Sequence, residues 1–263
     1  MAQTLAGDRK QRASENMQRP ERYSLKLARI TGVLLLLASI GGMAFGLLGA
    51  FSGTWGDPNA EDHAAVAFAA YQQHPVIPLF YYVSMLAGIL IIVLAPLLYL
   101  NLARSQTPLK LIAVIFQVLA GLMQALAASR WVIMLPLFAQ TYADPKTSAI
   151  TRAALDVNYQ AISYFLGLTL GEHLYNIFTG SWSLLLAISL LRTPGEKGWL
   201  GWLGVAAGTF FLLASFEQLN FSFGNILLIF VFGGFFLWLV WMVSLALTLL
   251  TNRPKARYAE NRI

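Results

Sequence analysis

The sequence has no cysteine among its 263 residues, and only 11% of them are charged. The missing thiols exclude disulfides, thiolate metal sites, iron–sulfur clusters and cysteine nucleophiles. The missing charge excludes more. A soluble domain usually carries about 25% charged residues, and a folded chain with half of that has too few polar groups to cover its surface. Soluble globular, disordered and nucleic-acid-binding classes are therefore set aside. Histidine is scarce too, with three copies. The abundant component is apolar: 57% of residues are hydrophobic, with a mean hydropathy of +0.62. A multi-pass membrane protein is what remains.

The net charge is +6. The basic residues cluster in tails and short loops beside apolar runs, the pattern of membrane orientation rather than of nucleic-acid contact. Residues 1–29 read as a basic cytoplasmic tail, containing Arg9, Lys10, Arg12, Arg19, Arg22, Lys26 and Arg29, with an amphipathic turn at its end. No cleavable leader and no lipidation signal is read at either end.

Six apolar segments follow, at roughly 30–51, 76–101, 109–136, 171–191, 199–219 and 224–250. Each is long enough to cross a hydrocarbon core of about 30 Å as a helix, and each must be helical, because lipid offers nothing to open backbone groups. The expected fold is an all-α polytopic bundle over 30–250, with a second short tail at 251–263. With the N-terminus inside, fifteen of the eighteen Lys and Arg residues lie on the inner side. Only Arg130, Lys146 and Arg152 stay outside. This places both termini in the cytoplasm and the protein in the cell membrane. Segments 52–75 and 137–170 then face outward, and 220–223 is a tight outer turn.

The two long outer segments resemble each other. One holds Asp57-Pro58 and reaches Tyr71-Gln72, and the other holds Asp144-Pro145 and reaches Tyr159-Gln160. Asp caps free N–H groups and Pro fits the first helical turn, so each is read as a short outer helix. They are an internal duplication or two ordinary Asp-Pro helix starts. Whether the second helix stops or runs straight into the fourth span stays open. Small residues recur four apart, as in Gly42/Gly46, Gly167/Gly171 and Gly204/Gly208, which favours close helix packing within the bundle over dimerisation. Pro96 suggests a kink in the second span. Trp55 and Trp131 near the outer boundary and Trp199 and Trp202 near the inner one read as interfacial anchors.

Ionisable groups at membrane depth are costly and are the best site candidates. Arg130, Glu172, His173 and Glu217 all fall toward the outer ends of their spans, and Asn176 shares a helix face with Glu172 and His173. Two readings are open. One is an outward-facing polar pocket in which Arg130 pairs with Glu172 or Glu217 and His173 binds or titrates. The other is a buried structural ion pair with wet neighbours. No metal is expected: the histidines form no ligand-spaced motif, and His63, His74 and His173 are weak candidates that could meet only in space. No cofactor is expected, since haem lacks a second histidine in a span, retinal lacks a span lysine away from the membrane ends (Lys110 stands at the inner end of the third span), and no glycine-rich phosphate loop occurs. The segment Gly180-Ser181-Trp182-Ser183 is not a nucleophile elbow. Gln117 and Gln124 share one face of the third span, the only hint of a conducting stripe.

Part of the chain resembles a known family. The stretches concerned are residues 29–32, Asp144-Pro145, 180–191 with Arg192, and Trp199-Leu200-Gly201-Trp202-Leu203-Gly204. They resemble a family of uncharacterised bacterial multi-pass proteins, the domain of unknown function DUF4386, over about residues 25–250. The resemblance implies an integral membrane protein of about six helices. It assigns no activity, so no residue roles carry over, and the Glu172-His173 pair carries no part of it. The residues themselves point to a ligand- or lipid-binding or accessory membrane protein, more a binder than an enzyme. The lipid bilayer is the expected partner, with a second membrane protein or another copy of the chain also open. A membrane-embedded enzyme or redox accessory using Glu172, His173 and Arg130, and a small-solute transporter, are the alternatives.

Overall fold

A computed structural model describes residues 25–43, 64–73, 76–102, 108–192, 198–219 and 224–251. Among these residues the structure is helical, with no strand. The helices are α1 (Leu25–Met43), α2 (Ala64–Gln73), α3 (Ile77–Leu102), α4 (Pro108–Ala143), α5 (Ala149–Leu191), α6 (Gly198–Ala214) and α7 (Gly224–Thr251). All but α2 contain a stretch long and apolar enough to cross a membrane, α6 together with the 3₁₀ turn that continues it to Glu217.

Exposure runs opposite to that of a soluble protein. Ile30, Leu37, Leu79, Leu86, Leu100, Leu111, Ile115 and Phe236 point outward. An apolar perimeter is stable only in lipid. With lipid outside, helix association rests on close packing and on a few polar staples. Glycines supply the close packing. A Cβ on Gly88 would fall 2.7 Å from the Gly121 carbonyl oxygen, so α3 and α4 touch backbone to backbone there. Gly180 and Gly208 do the same for α5 and α6, each placing a Cβ 2.8 Å from the other's carbonyl oxygen. Gly42 faces Leu239 of α7, and Gly204 faces Trp241 and Ala187. The described members of the small-residue pairs thus pack within the bundle.

The polar staples are Asn101 Nδ2 donating to Thr31 Oγ1 at 2.8 Å, Gln117 Nε2 to the Ile91 carbonyl at 3.4 Å, and Gln124 Nε2 to the Ser84 carbonyl at 3.2 Å. Gln117 and Gln124 therefore hold α4 against α3, where the sequence hinted at a conducting stripe. The core centres on Trp182, Trp238 and Trp241. Trp182 meets Trp238 edge-on at 6.4 Å and Trp241 at 5.3 Å, and Trp241 Nε1 donates to the Leu200 carbonyl at 3.0 Å.

Two helices exceed the expected spans. The sequence places the end of the third span near residue 136, whereas α4 continues to Ala143 and is 36 residues long. Pro136 does not end it. A π-helical turn over Arg130–Met134, closed by Leu135 N–H donating to the Arg130 carbonyl, stands just before the proline. Its wider turn accommodates a ring that would press on an ordinary α-turn. The second outer helix and the fourth span are one element: α5 runs 43 residues, π-helical over Ser163–Leu174. Its start also differs from the Asp-Pro reading. Asp144 instead closes a turn by accepting from Lys146 N at 2.9 Å, and Ser148 is the cap, accepting from Thr151 N at 3.1 Å.

At about 1.5 Å per residue, α4 is roughly 54 Å long and α5 roughly 65 Å, against a hydrocarbon core of about 30 Å. Their connected ends therefore project as a hairpin. Helix α2 packs on this hairpin through Phe68, which meets Phe138 at 6.5 Å, Tyr142 at 5.1 Å and Tyr159 at 5.3 Å. The projection thus has a small aromatic core of its own. Asp57-Pro58, the proposed start of the first outer helix, and the turn at 220–223 lie outside the described residues, as do most of the two tails.

Candidate functional site

The polar candidates gather where the projecting hairpin meets the membrane-spanning bundle. Arg130 is 22 residues along α4 from Pro108, about 33 Å, and His173 is 18 residues from Leu191, about 27 Å. Glu217, at a similar height from Gly198, lies on a 3₁₀ turn over Ser215–Leu219 that continues α6. These groups form a belt at one boundary of the bundle.

Arg130 opens the π-turn of α4 and faces the π-segment of α5. Its Nη1 donates to the Ser163 carbonyl at 2.9 Å. The guanidinium lies over Gly167, in the space that a Cβ there would occupy. Only glycine permits this approach. The other glycine of the pair, Gly171, would put a Cβ 2.7 Å from that of Ala127, so the same face of α5 seats both Arg130 and the turn of α4 before it. The guanidinium also lies 5.3 Å from the Trp131 ring centroid, and Trp131 stacks on Tyr81 at 4.5 Å with the rings 7° apart. Trp131, half-buried at the level of the belt, is therefore wedged between an arginine and a tyrosine. Trp199 and Trp202 are exposed, as anchors should be.

A shallow, mostly apolar depression lies beside Arg130 between the two helical arms of the hairpin, with room inside it for about one water molecule. Trp131, Phe138, Tyr159, Ile162 and Ser163 line it, and Arg130 is its charged residue. Both π-segments contribute to its walls. Wide helical turns of this kind recur at functional sites, where they re-aim side chains that a regular helix would bury.

His173 is held on the other side of α5. Its Nδ1 donates to the Ser215 carbonyl at 2.9 Å, which assigns the ring proton to Nδ1. The π-segment of α5 is thereby tied to the 3₁₀ turn that carries Glu217. Glu172 and Glu217 are half-buried, and Asn176 is buried one turn deeper, at the start of the α-helical part of α5. Arg130 and His173 thus belong to one belt but reach in different directions, Arg130 toward the cleft and His173 toward α6. Of the weak metal candidates, His63 and His74 lie outside the described residues. Among the described residues, no three His, Asp or Glu side chains converge as a metal site.

Ser163, Gly167, Tyr159 and Ser215 are absent from the sequence reading of the site. Gly167 carried a signal, the Gly167/Gly171 spacing, but it pointed to helix packing in general and not to an arginine seat. Ser163 and Ser215 act through backbone carbonyls, which every residue type possesses.

The comparisons with known proteins bear on the scaffold alone. No curated protein and no solved structure is detectably similar to the chain. The model of a domain of unknown function, DUF4386, matches residues 30–246, the whole membrane bundle with its hairpin. A six-span helical protein that matches this model over most of its length belongs to the DUF4386 family.

Proposed function

We propose that this is a binding or accessory protein of the cell membrane, with both termini in the cytoplasm and a ligand site at the outer boundary. The observation that carries the reading is the meeting of two π-helical segments across one cleft, with Arg130 donating from the first to the backbone of the second. Two irregular turns at the same height, on helices otherwise packed by glycines, are costly for a purely structural bundle. They are economical for a site that must present a cation beside an apolar cleft. Orientation rests on the positive-inside distribution, with fifteen of eighteen basic residues on one side. Glu172 and Glu217 balance the belt electrostatically, since an arginine at this depth is stable only with compensating charge or hydrogen bonds. His173 serves as the strut that fixes α5 against α6.

The test is mass spectrometry of small molecules that copurify with the full chain. Wild-type protein is expected to carry a small molecule that is depleted from an Arg130→Gln variant of matching thermal stability. His173→Ala is expected to lower stability without depleting that molecule selectively. If nothing copurifies with the wild type, and Arg130→Gln only reduces folded yield, the belt is structural and the reading fails.

A further inference from the structure

We infer that the projecting arm of α5 pairs side by side with the same arm of a second copy of the chain, in parallel and in register. The arm has two apolar faces, and its own hairpin uses only one. Tyr159, Ile162 and Ser163 turn inward, with Tyr159 against Phe68 of α2. On the opposite face Ile150, Ala154, Val157 and Ala161 are all exposed, Ile150 at 84% and Val157 at 67%. Their spacing of four, three and four residues is the repeat of a coiled-coil seam, with large and small side chains alternating along it. Tyr164, also exposed, carries the same spacing into the π-segment.

Lipid does not cover this stripe. Leu191 ends the helix, and Ala161 and Ile150 stand roughly 45 Å and 60 Å along it, both beyond a hydrocarbon core of about 30 Å. Thr151, Asn158 and Gln160 beside the stripe are exposed, as suits water. Geometry and charge argue for a second copy. The arm is continuous with a membrane span, so every copy inserted in one membrane presents the same stripe at the same height and in the same direction. A two-fold axis along the membrane normal then sets each seam residue against its own twin. Such a seam tolerates no charge, because each would meet its like. Arg152 and Asp156, the charged residues of the arm, lie half-buried away from it, with Arg152 over the Tyr142 ring and donating to the Asp144 carbonyl. Size fixes the strength. A stripe about 21 Å long on a helix about 10 Å across covers far less than the roughly 800 Å2 per partner of a stable soluble interface. The pairing therefore depends on the bilayer, which holds both arms upright and raises their effective concentration.

The experiment uses the full chain, free of natural cysteine, with one cysteine introduced at a time and oxidised in isolated membranes with copper phenanthroline. Ala154→Cys and Val157→Cys are expected to form disulfide-linked dimers at least fivefold faster than Thr151→Cys and Gln160→Cys, which stand about 90° round the helix on either side of the stripe. Val157→Glu sets two carboxylates against each other across the seam. Added to Ala154→Cys, it is expected to slow that linkage at least fivefold in protein of matching thermal stability, since Val157 is exposed within its own chain. Equal rates at all four positions, the mark of random collision, overturn the inference. So does a Val157→Glu variant that links as fast as its parent, or seam cysteines that react with maleimide but do not link. Seam cysteines that neither link nor react assign the stripe to residues 44–63 of the same chain, and linkage to a different protein assigns it to that partner. Either result overturns self-pairing.

Discussion

Single atoms decide much of this molecule, because membrane helices with no hydrophobic drive between them depend on how closely they approach. The absent Cβ of Gly88 is the clearest case. Gly88→Ala would press on the Gly121 carbonyl and on the backbone of Ala125, neither of which can swing aside as a side chain can. It is expected to destabilise the protein by about 1–3 kcal/mol, read as a lowered unfolding temperature in detergent. Gly198→Ala meets nothing within 4 Å and should change stability by no more than about 0.5 kcal/mol. Trp241→Phe keeps most of the packing and removes the bond to the Leu200 carbonyl, for a loss of about 1 kcal/mol. Equal effects of the two glycine substitutions would contradict the packing described here. Residues of this kind differ in how readable they are. Arg130 stands out in the sequence because a cation in an apolar run is rare. Its partners do not, because a carbonyl oxygen and an empty Cβ position leave no mark on residue type.

Elements were legible where hydropathy changes and hidden where it does not. The six spans emerge from apolar runs of about 20 residues. The continuation of α4 past Pro136 involves no such change, and the joining of the second outer helix to the fourth span, which the sequence leaves open, crosses a change in hydropathy without a break in the helix. There the chain stays helical while its surroundings turn from lipid to the aromatic contacts of the hairpin. The π-segments were unreadable for a related reason: a five-residue turn depends on what packs against the helix, not on a preferred composition. The start of α5 was misplaced because Asp144-Pro145 carries the stronger start signal, yet the chain spends it on a turn and caps the helix four residues later with Ser148. Ser148→Ala should therefore loosen the first turn of α5 by about 1 kcal/mol. Hydrogen exchange would show faster amides near Thr151 and unchanged ones near Trp182. Asp144→Ala should leave the amides of that first turn slower than Ser148→Ala does.

At the scale of the whole molecule, the missing cysteines become useful, since the natural chain is already the background for single-cysteine labelling. Lys146→Cys at the exposed hairpin turn is expected to react with a membrane-impermeant maleimide in intact cells. Arg104→Cys and Lys255→Cys should react only after the membrane is opened. The reverse pattern would invert the orientation and place the cleft on the cytoplasmic side. The bundle itself was legible from charge and hydropathy together, whereas the projecting hairpin was not, because helix length beyond the membrane is set by contacts such as those of Phe68.

The unbroken course of α5 has a mechanical consequence. The rod that walls the cleft at Tyr159 and Ser163 is the one clamped to α6 at Gly180, some 25 Å further along. Displacement at the clamp is expected to be carried along the rod to the wall of the hairpin. The gap at the hairpin is then geared to the tilt of the buried arm, and a wedge driven between Gly180 and Gly208 would be felt at the mouth of the cleft.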